Sequence, residues 1–167
     1  QLSTIKAVTD HSGHPLYLRQ HQLTRRYNPE EVYLLQYALI QAAKKGTARA
    51  LSSAFPGEIL AGKTGTSSDY RDSWFSGFDD TILTTIWLGR DDNQAIGLTG
   101  GSGALNVFSR FHRLHGVSPL QRSMPEQVSL QTFSTKTGHP LGQNCLNVLL
   151  LPAISVEMPL TSECTEE

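Results

Sequence analysis

The sequence lacks the features that mark several large classes of protein. No run of about 18 apolar residues occurs, so these 167 residues contain no predicted transmembrane helix. The 14 lysines and arginines are scattered and the formal net charge is −1, so nucleic acid is not an expected partner. Charged residues make up 17% and hydrophobic residues 38% of the chain, a composition that predicts a soluble globular domain.

Cysteine is also scarce, with only Cys145 and Cys164 near the end of the chain. Neither has a second cysteine or a histidine at metal-ligand spacing. They are either two unrelated thiols or a disulfide that closes a 20-residue loop. A disulfide would stabilise the fold by about 3 kcal/mol and would imply an oxidising compartment. The sequence leaves both alternatives open.

The beginning of the chain and its histidines carry two further expectations. The chain starts at Gln1 and shows no signal peptide, so we expect a piece of a longer protein. His112 and His115 lie one helical turn apart, but no third ligand accompanies them. A solvated helix face is therefore predicted for both histidines, and no metal or cofactor is predicted.

The hydrophobic pattern predicts an α+β fold, with helices packed on an antiparallel sheet. A hairpin at 4–18 precedes a helix that Asn28 caps and Gly46 ends. Strands are expected at 58–66, 73–78 and 81–89, with Asp79 and Asp80 in the turn between the last two. A helix at 103–116 follows, which Ser102 is expected to cap and Gly116 to end. The expected apolar stripes of the two helices are Val32, Leu35, Leu39, Ala42 and Leu105, Phe108, Phe111, Leu114. Trp74, Phe75 and Trp87 are expected to pack in the core or on the sheet.

From Val117 onward proline, serine and glutamine become frequent. Short alternating runs around "QVSLQTF" and "NVLLL" remain there, so a small β module is expected. The predicted division is therefore a main domain at 1–116 and a C-terminal extension at 117–167.

The stretch "GEILAGKTGTSS" at 57–68 fits two unrelated motifs. From Gly57 it matches the phosphate-binding loop, which needs a preceding strand and a following helix. Pro56 places Gly57 in a turn, and "GTSSDYRDS" after Thr64 is a poor helix start. The phosphate-loop hypothesis is therefore disfavoured, and ATP binding is not expected.

From Lys63 the same stretch reads K-T-G-T on an extended strand. An edge strand has unpaired N–H and C=O groups, which can pair with an extended peptide substrate. A lysine on that edge supplies a positive charge for a terminal carboxylate, and a backbone N–H can stabilise an oxyanion. Strict alternation places Lys63 and Gly65 on one face and Thr64 and Thr66 on the other. All four serve one cleft only if the strand is twisted and lies at the sheet edge.

Five short segments, in this order, resemble the transpeptidase domain of class A penicillin-binding proteins. They are "KKGTARAL" at 44–51, "KTGTS" at 63–67, "DSWFSGF" at 72–78, "TIWLGRDDN" at 85–93 and "GGSGAL" at 100–105. The resemblance covers 1–115 well, and the tail with two cysteines is similar to the family's C-terminal extension. It implies the penicillin-recognising fold of serine transpeptidases and β-lactamases.

The resemblance also implies a function in cell-wall synthesis. Members cross-link peptidoglycan stem peptides ending in D-Ala-D-Ala through a serine acyl-enzyme, and β-lactams acylate the same serine. Lys63 would support proton transfer and the carboxylate field, and the hydroxyls of Thr64 and Thr66 would bind the substrate carboxylate. Gly65 would let the substrate backbone approach, and the Thr66 N–H would form half of the oxyanion hole.

The resemblance further implies a setting for the longer protein. Family members carry a glycosyltransferase domain and a membrane anchor, and they act on the periplasmic face of the bacterial inner membrane. Any membrane attachment would come from that N-terminal part, and other cell-wall synthesis proteins are possible partners.

The chemistry also needs S-x-x-K, which carries the nucleophile, and S-x-N. No S-x-N occurs in the 167 residues, and the single S-x-x-K begins at Ser3, in a predicted strand rather than at a helix start. A second K-T-G at 136–138 precedes His139 and Pro140 and is expected to be an exposed turn. The fragment alone is therefore expected to be inactive. A serine β-lactamase-like hydrolase and a non-enzymatic interaction module remain alternatives.

Overall fold

Helices and strands are mixed along the chain in an α+β order, as the hydrophobic pattern predicts. The structure, a computed structural model, describes residues 4–20, 24–142 and 145–155. Its elements are β1 (Ala7–Thr9), β2 (Pro15–Leu18), α1 (Pro29–Lys45), α2 (Ala50–Ala54), β3 (Ala61–Thr66), β4 (Ser73–Phe78), β5 (Leu83–Leu88), α3 (Ala104–His115), β6 (Val128–Ser134) and β7 (Val148–Ile154).

The described strands form three small antiparallel sheets: β1 with β2, β3 with β4 and β5, and β6 with β7. In the central sheet the order is β3–β4–β5, so β3 is an end strand. Its register pairs Lys63 with Ser76 and Gly65 with Trp74, and β5 continues the second row with Trp87. Asp79 and Asp80 lie in the turn between β4 and β5, as predicted.

The main core lies on one face of the central sheet, under α3. Phe75 of β4 and Phe108 of α3 are fully buried, with ring centroids 4.8 Å apart in an edge-to-face contact. Leu51 of the short helix α2 belongs to the same cluster. A second cluster forms where Ile40 of α1 packs against Ala61 of β3 and against Leu120. Leu60, just before β3, belongs to the first cluster and Ala61 to the second, so the two clusters hold the start of β3 in place.

Helix α1 begins as predicted, but its buried face differs from the predicted stripe. Asn28 caps the helix, and its N–H donates to Oε2 of Glu31 (3.3 Å). Ile40 and Ala43 are the buried residues of the helix. Val32 and Leu35, at 38% and 60% exposure, are not covered. The helix packs on the core only through its second half, so a stripe drawn along its whole length is wrong.

Helix α3 shows a related difference. Leu105 and Phe108 are buried as predicted, but Phe111 is largely exposed and Leu114 is 90% exposed. His112 is fully buried instead, so the prediction of a solvated face for His112 is wrong. It lies one turn after Phe108, with ring centroids 4.2 Å apart, and therefore continues the face that the sheet covers. The predicted cap Ser102 precedes the cap position, which is Gly103.

The C-terminal part forms the separate hairpin sheet β6–β7, where two short alternating runs predicted strands. Cys145 is disulfide-bonded. The only other cysteine of the sequence, Cys164, lies outside the described residues. Within the described ranges, every helix is too short or too polar to cross a membrane. The boundary between 1–116 and 117–167 stays a prediction.

Candidate functional site: the K-T-G-T strand

The K-T-G-T residues occupy the last four positions of β3. Ala61 and Gly62 at the start of the strand are buried, whereas Lys63 and Thr66 are exposed and Thr64 and Gly65 are half-buried. The strand therefore passes from the core to the surface within six residues. A substrate could reach the Lys63–Thr66 half of this edge.

The ladder between β3 and β4 determines which backbone groups point to the free edge. Just beyond β3, the N–H of Ser67 donates to the carbonyl of Asp72 (3.2 Å). Paired residues in an antiparallel ladder alternate between hydrogen-bonded and non-hydrogen-bonded positions. By this alternation Lys63 and Gly65 bond to β4, and Thr64 and Thr66 direct their N–H and C=O groups away from it. The Thr66 N–H is therefore available at the free edge of β3.

The ammonium group of Lys63 lies at the same edge. Its Nζ donates a 2.8 Å hydrogen bond to the carbonyl of Thr64. Among the described residues, no carboxylate oxygen lies within ion-pairing distance of Lys63. This placement leaves a positive charge beside the amides of Thr64 and Thr66.

The two threonine side chains lie on the same face of the sheet as their cross-strand partners Phe75 and Ser73, opposite Lys63 and Gly65. Oγ1 of Thr64 lies 2.6 Å from Oγ1 of Thr47, and either hydroxyl can donate. Oγ1 of Thr66 accepts the N–H of Gly100 at 2.9 Å and keeps its own proton for another acceptor. The backbone edge, rather than a common side-chain face, is what brings the four K-T-G-T residues together.

The segments that carry the family resemblance meet around this strand. Thr47 comes from "KKGTARAL" and Gly100 from "GGSGAL", and both bond a K-T-G-T hydroxyl. Ser73 of β4 is fully buried; its hydroxyl donates to the Thr99 carbonyl (2.7 Å) and accepts from the Ala104 N–H (2.9 Å). This serine thereby joins β4 to the start of α3. The sequence of these segments did not predict the contacts of Thr47, Ser73 and Gly100.

Two tryptophans form a second row on the outer face of the sheet. Trp74 and Trp87 are cross-strand neighbours with ring centroids 6.1 Å apart, next to Gly65. They pack on each other as predicted for the sheet, yet 45% and 46% of their surfaces stay exposed. Only Phe75 of the three predicted packing aromatics is in the core.

Charged groups near the sheet are paired locally. The Trp87 indole donates to Oδ1 of Asp72 (2.9 Å). This bond, together with a hydrogen bond from the Ser67 side chain, lowers the pKa of the Asp72 carboxyl. Arg90 forms a two-point pair with Asp92, at 2.6 and 2.8 Å. In the part of the chain that the structure describes, no group of three His, Cys, Asp or Glu side chains could hold a metal ion.

The sequence contains three competing motifs: the phosphate-binding loop from Gly57, the second K-T-G and the S-x-x-K that begins at Ser3. The phosphate-loop hypothesis requires a helix directly after Thr64, but β3 continues to Thr66 and only a short 3₁₀ turn follows. The second K-T-G, at 136–138, is an exposed turn, as predicted. Ser3 lies outside the described residues.

Comparisons with known proteins agree with the resemblance. The chain is 39% identical over 98% of its length to penicillin-binding protein 1B of Vibrio cholerae, and 35% identical over 77% to that of Escherichia coli K12. These matches span 21% and 15% of the two relatives. No family model matches the sequence.

A solved structure shares the fold. Penicillin-binding protein 1A from Haemophilus influenzae superposes with a TM-score of 0.67 over 95% of this chain and 30% of that one, at 19% identity. The small antiparallel sheets and their helices therefore match part of that protein. This chain is homologous to about one fifth of penicillin-binding protein 1B.

Proposed function

We propose that this chain supplies the K-T-G-T wall of the transpeptidase site in a class A penicillin-binding protein. The observation that carries the proposal is the placement of the amides of Thr64 and Thr66, and the ammonium of Lys63, on the free edge of β3. An extended peptide can add to such an edge as a further strand. The homology to penicillin-binding protein 1B makes a peptidoglycan stem peptide the expected one.

Each residue has a role that follows from this edge. The Lys63 ammonium attracts the terminal carboxylate of the stem peptide and supports proton transfer. The Thr66 N–H donates to the oxygen that becomes negative when the peptide carbonyl is attacked. Gly65 leaves room for the substrate backbone. The hydroxyls of Thr64 and Thr66 bind the carboxylate once Thr64 turns away from Thr47.

The nucleophile lies outside this chain. In the proposed reaction a serine hydroxyl attacks the D-Ala-D-Ala carbonyl, the terminal D-alanine leaves with a proton, and an acyl-enzyme forms. An amine of a neighbouring stem peptide then takes the acyl group and frees the serine. No S-x-N occurs in the sequence, so the chain by itself is proposed to be inactive.

The wider assignment follows from the same homology. Residues 1–116 are proposed to be the C-terminal part of a penicillin-recognising domain, and residues 117–167 its extension. The longer protein is proposed to act at the periplasmic face of the inner membrane and to carry a glycosyltransferase. A β-lactamase-like hydrolase would share the K-T-G strand but would release its acyl group rapidly to water.

Covalent labelling with a fluorescent penicillin tests the proposal. We expect the longer gene product to be labelled, to keep the label for many minutes, and to lose labelling in Lys63→Ala. The isolated chain should stay unlabelled. Undiminished labelling of Lys63→Ala would refute the assigned site, and rapid loss of the label would favour the hydrolase.

A further inference from the structure

A basic cleft opens at the start of α1, away from the K-T-G-T strand. It has a volume of about 540 Å³ and lies between the beginning of α1, with the residues just before it, and the segment 121–125 that follows α3. Three arginines line it: Arg25, Arg26 and Arg122. No acidic residue is among the described residues of its wall, although Glu30, Glu31 and Glu126 are close in sequence. The charged side chains that line the described part of the cleft are therefore all positive.

Arg25 and Arg26 are not used by the fold. Both are exposed, and neither forms an ion pair or a hydrogen bond with another described residue. A cationic side chain that stabilises a fold usually does so through a partner carboxylate, and within the described ranges neither arginine has one. Their charges are available to a ligand in the cleft.

Arg122 is held rigidly and still has an unused donor. Its guanidinium lies 4.2 Å from the centroid of the Tyr33 ring, and Nη2 donates to the Tyr33 carbonyl at 3.3 Å. Its Nε–H is buried and has no hydrogen-bond acceptor among the residues that the structure describes. A buried donor without an acceptor is unfavourable, so this guanidinium group is not fully satisfied by the fold. The Arg122 side chain also lines the cleft, where its charge can act on a ligand. Stacking on Tyr33 fixes the plane of the Arg122 guanidinium group before any ligand binds.

Three guanidinium groups favour a phosphate over a single carboxylate. Guanidinium groups bind phosphate through parallel N–H···O bonds, and three positive charges match the two or three negative charges of a phosphate or diphosphate. The remaining wall includes Tyr27, Pro29 and Val32, which suit a less polar body attached to the anion. We propose that this cleft binds a phosphate or diphosphate group carried on an organic body. The proposal is independent of the transpeptidase assignment.

Calorimetric titration of the full chain with pyrophosphate at low salt tests the anion site. We expect saturable binding that weakens at least tenfold in Arg25→Gln/Arg26→Gln. Arg122→Lys should also weaken binding about tenfold, because an ammonium keeps the charge but loses the fork. The matched control is Arg110→Gln/Arg113→Gln on exposed positions of α3, which removes equal charge and should change affinity less than twofold. Circular dichroism checks that each variant is folded.

Vesicle flotation separates the two sources of such a phosphate. Flotation with phosphatidylglycerol vesicles but not phosphatidylcholine vesicles, lost in Arg25→Gln/Arg26→Gln, would assign the site to a lipid headgroup. Pyrophosphate binding without flotation would assign it to a soluble phosphate ester. Equal weakening by both double variants, or binding of neither probe, would overturn the proposal.

Discussion

The amide of Gly100 donates a 2.9 Å hydrogen bond to the hydroxyl of Thr66, and this bond joins the segment before α3 to the end of the K-T-G-T strand. The contact requires glycine, because a Cβ at position 100 would lie 2.5 Å from the Trp74 carbonyl and 2.6 Å from that of Gly65. Backbone atoms cannot move aside as a flexible side chain can. The segment before α3 thus helps to fix where the Thr66 amide points.

Gly100→Ala should therefore destabilise the fold by about 1–3 kcal/mol, the usual cost of overpacking. Urea unfolding of the chain measures the change. The matched control is Gly101→Ala, whose Cβ would meet the Thr47 carbonyl at 3.4 Å, an ordinary contact. Equal stability of the two variants would show that Gly100 does not pack tightly on β3.

Lys63→Ala should impair acylation of the longer protein without lowering the stability of the fold. The Lys63 side chain is exposed and bonds only the adjacent Thr64 carbonyl, so the free energy of unfolding should change by less than about 0.5 kcal/mol. In the longer protein, penicillin acylation should slow about 100-fold or more, because the charge at the edge is lost. Lys44→Ala, on an exposed position of α1, should alter neither quantity. A large loss of stability in Lys63→Ala would make the labelling result uninformative about the site and would contradict this prediction.

Asp79, in the turn between β4 and β5, should make the stability of the fold sensitive to acid. Burial alone would raise the pKa of Asp79, but hydrogen bonds from the amides of Ser118, Thr81 and Ile82 and from the Thr81 hydroxyl hold it at about 2. This pKa is below the ordinary value of 3.8, so the ionised carboxylate stabilises the fold above about pH 4. The contribution, about 2 kcal/mol, disappears as the pH falls from 4 through 2.

Asp79→Asn tests this sensitivity. Urea unfolding at a series of pH values should show a loss of about 2 kcal/mol at pH 7 and a flatter decline between pH 4 and pH 2. The exposed neighbour Asp80, changed to Asn, serves as the control and should keep the acid decline of the unmodified chain. Parallel pH profiles for the unmodified chain and Asp79→Asn would contradict the assignment.

His112 allows a test of what an unpartnered polar side chain contributes to stability in the core. It is fully buried, its Nδ1 lies 3.7 Å from Oδ2 of Asp79, and neither ring nitrogen has a hydrogen-bond partner among the described residues. Since unpaired buried nitrogens are unfavourable, His112→Leu should leave the free energy of unfolding unchanged or raise it by about 1 kcal/mol. Phe108→Ala should instead cost about 3–5 kcal/mol. A loss above about 2 kcal/mol in His112→Leu would contradict this prediction and would show that the contact with Asp79 stabilises the fold.

The strands were more predictable than the helix faces. Alternation in "SWFSGF" placed β4 at its observed bounds, because buried Ser73, Phe75 and Gly77 alternate with more exposed residues. In α3 the four apolar residues at i, i+3, i+6 and i+9 suggested one stripe. Each step of three residues falls about 60° short of a full turn of a 3.6-residue helix, so Phe111 and Leu114 rotate away from the face that Leu105, Phe108 and His112 bury. Helix α2, with five residues, is too short to show a period.

The site was predictable only in part. The extended conformation of K-T-G-T followed from the turn before it and the poor helix start after it. The edge position did not follow from the pattern; it was a condition for all four residues to serve one cleft. The partners of its hydroxyls did not, because Thr47 and Gly100 are 17 and 34 residues away from the threonines that they bond. Their chemistry is ordinary, and only the packing of α1 and α3 around β3 brings them close.

Because the direction of the amides alternates along β3, the effect of a deletion depends on whether it removes an odd or an even number of residues. A deletion of one residue between Leu60 and Lys63 would turn inward the groups that now face outward, and the amides of Lys63 and Gly65 would take the open side. A deletion of two would restore the original phase but draw the lysine toward the core. At the exposed Lys63, an exchange of side chain should therefore disturb the fold less than a change in the length of the segment.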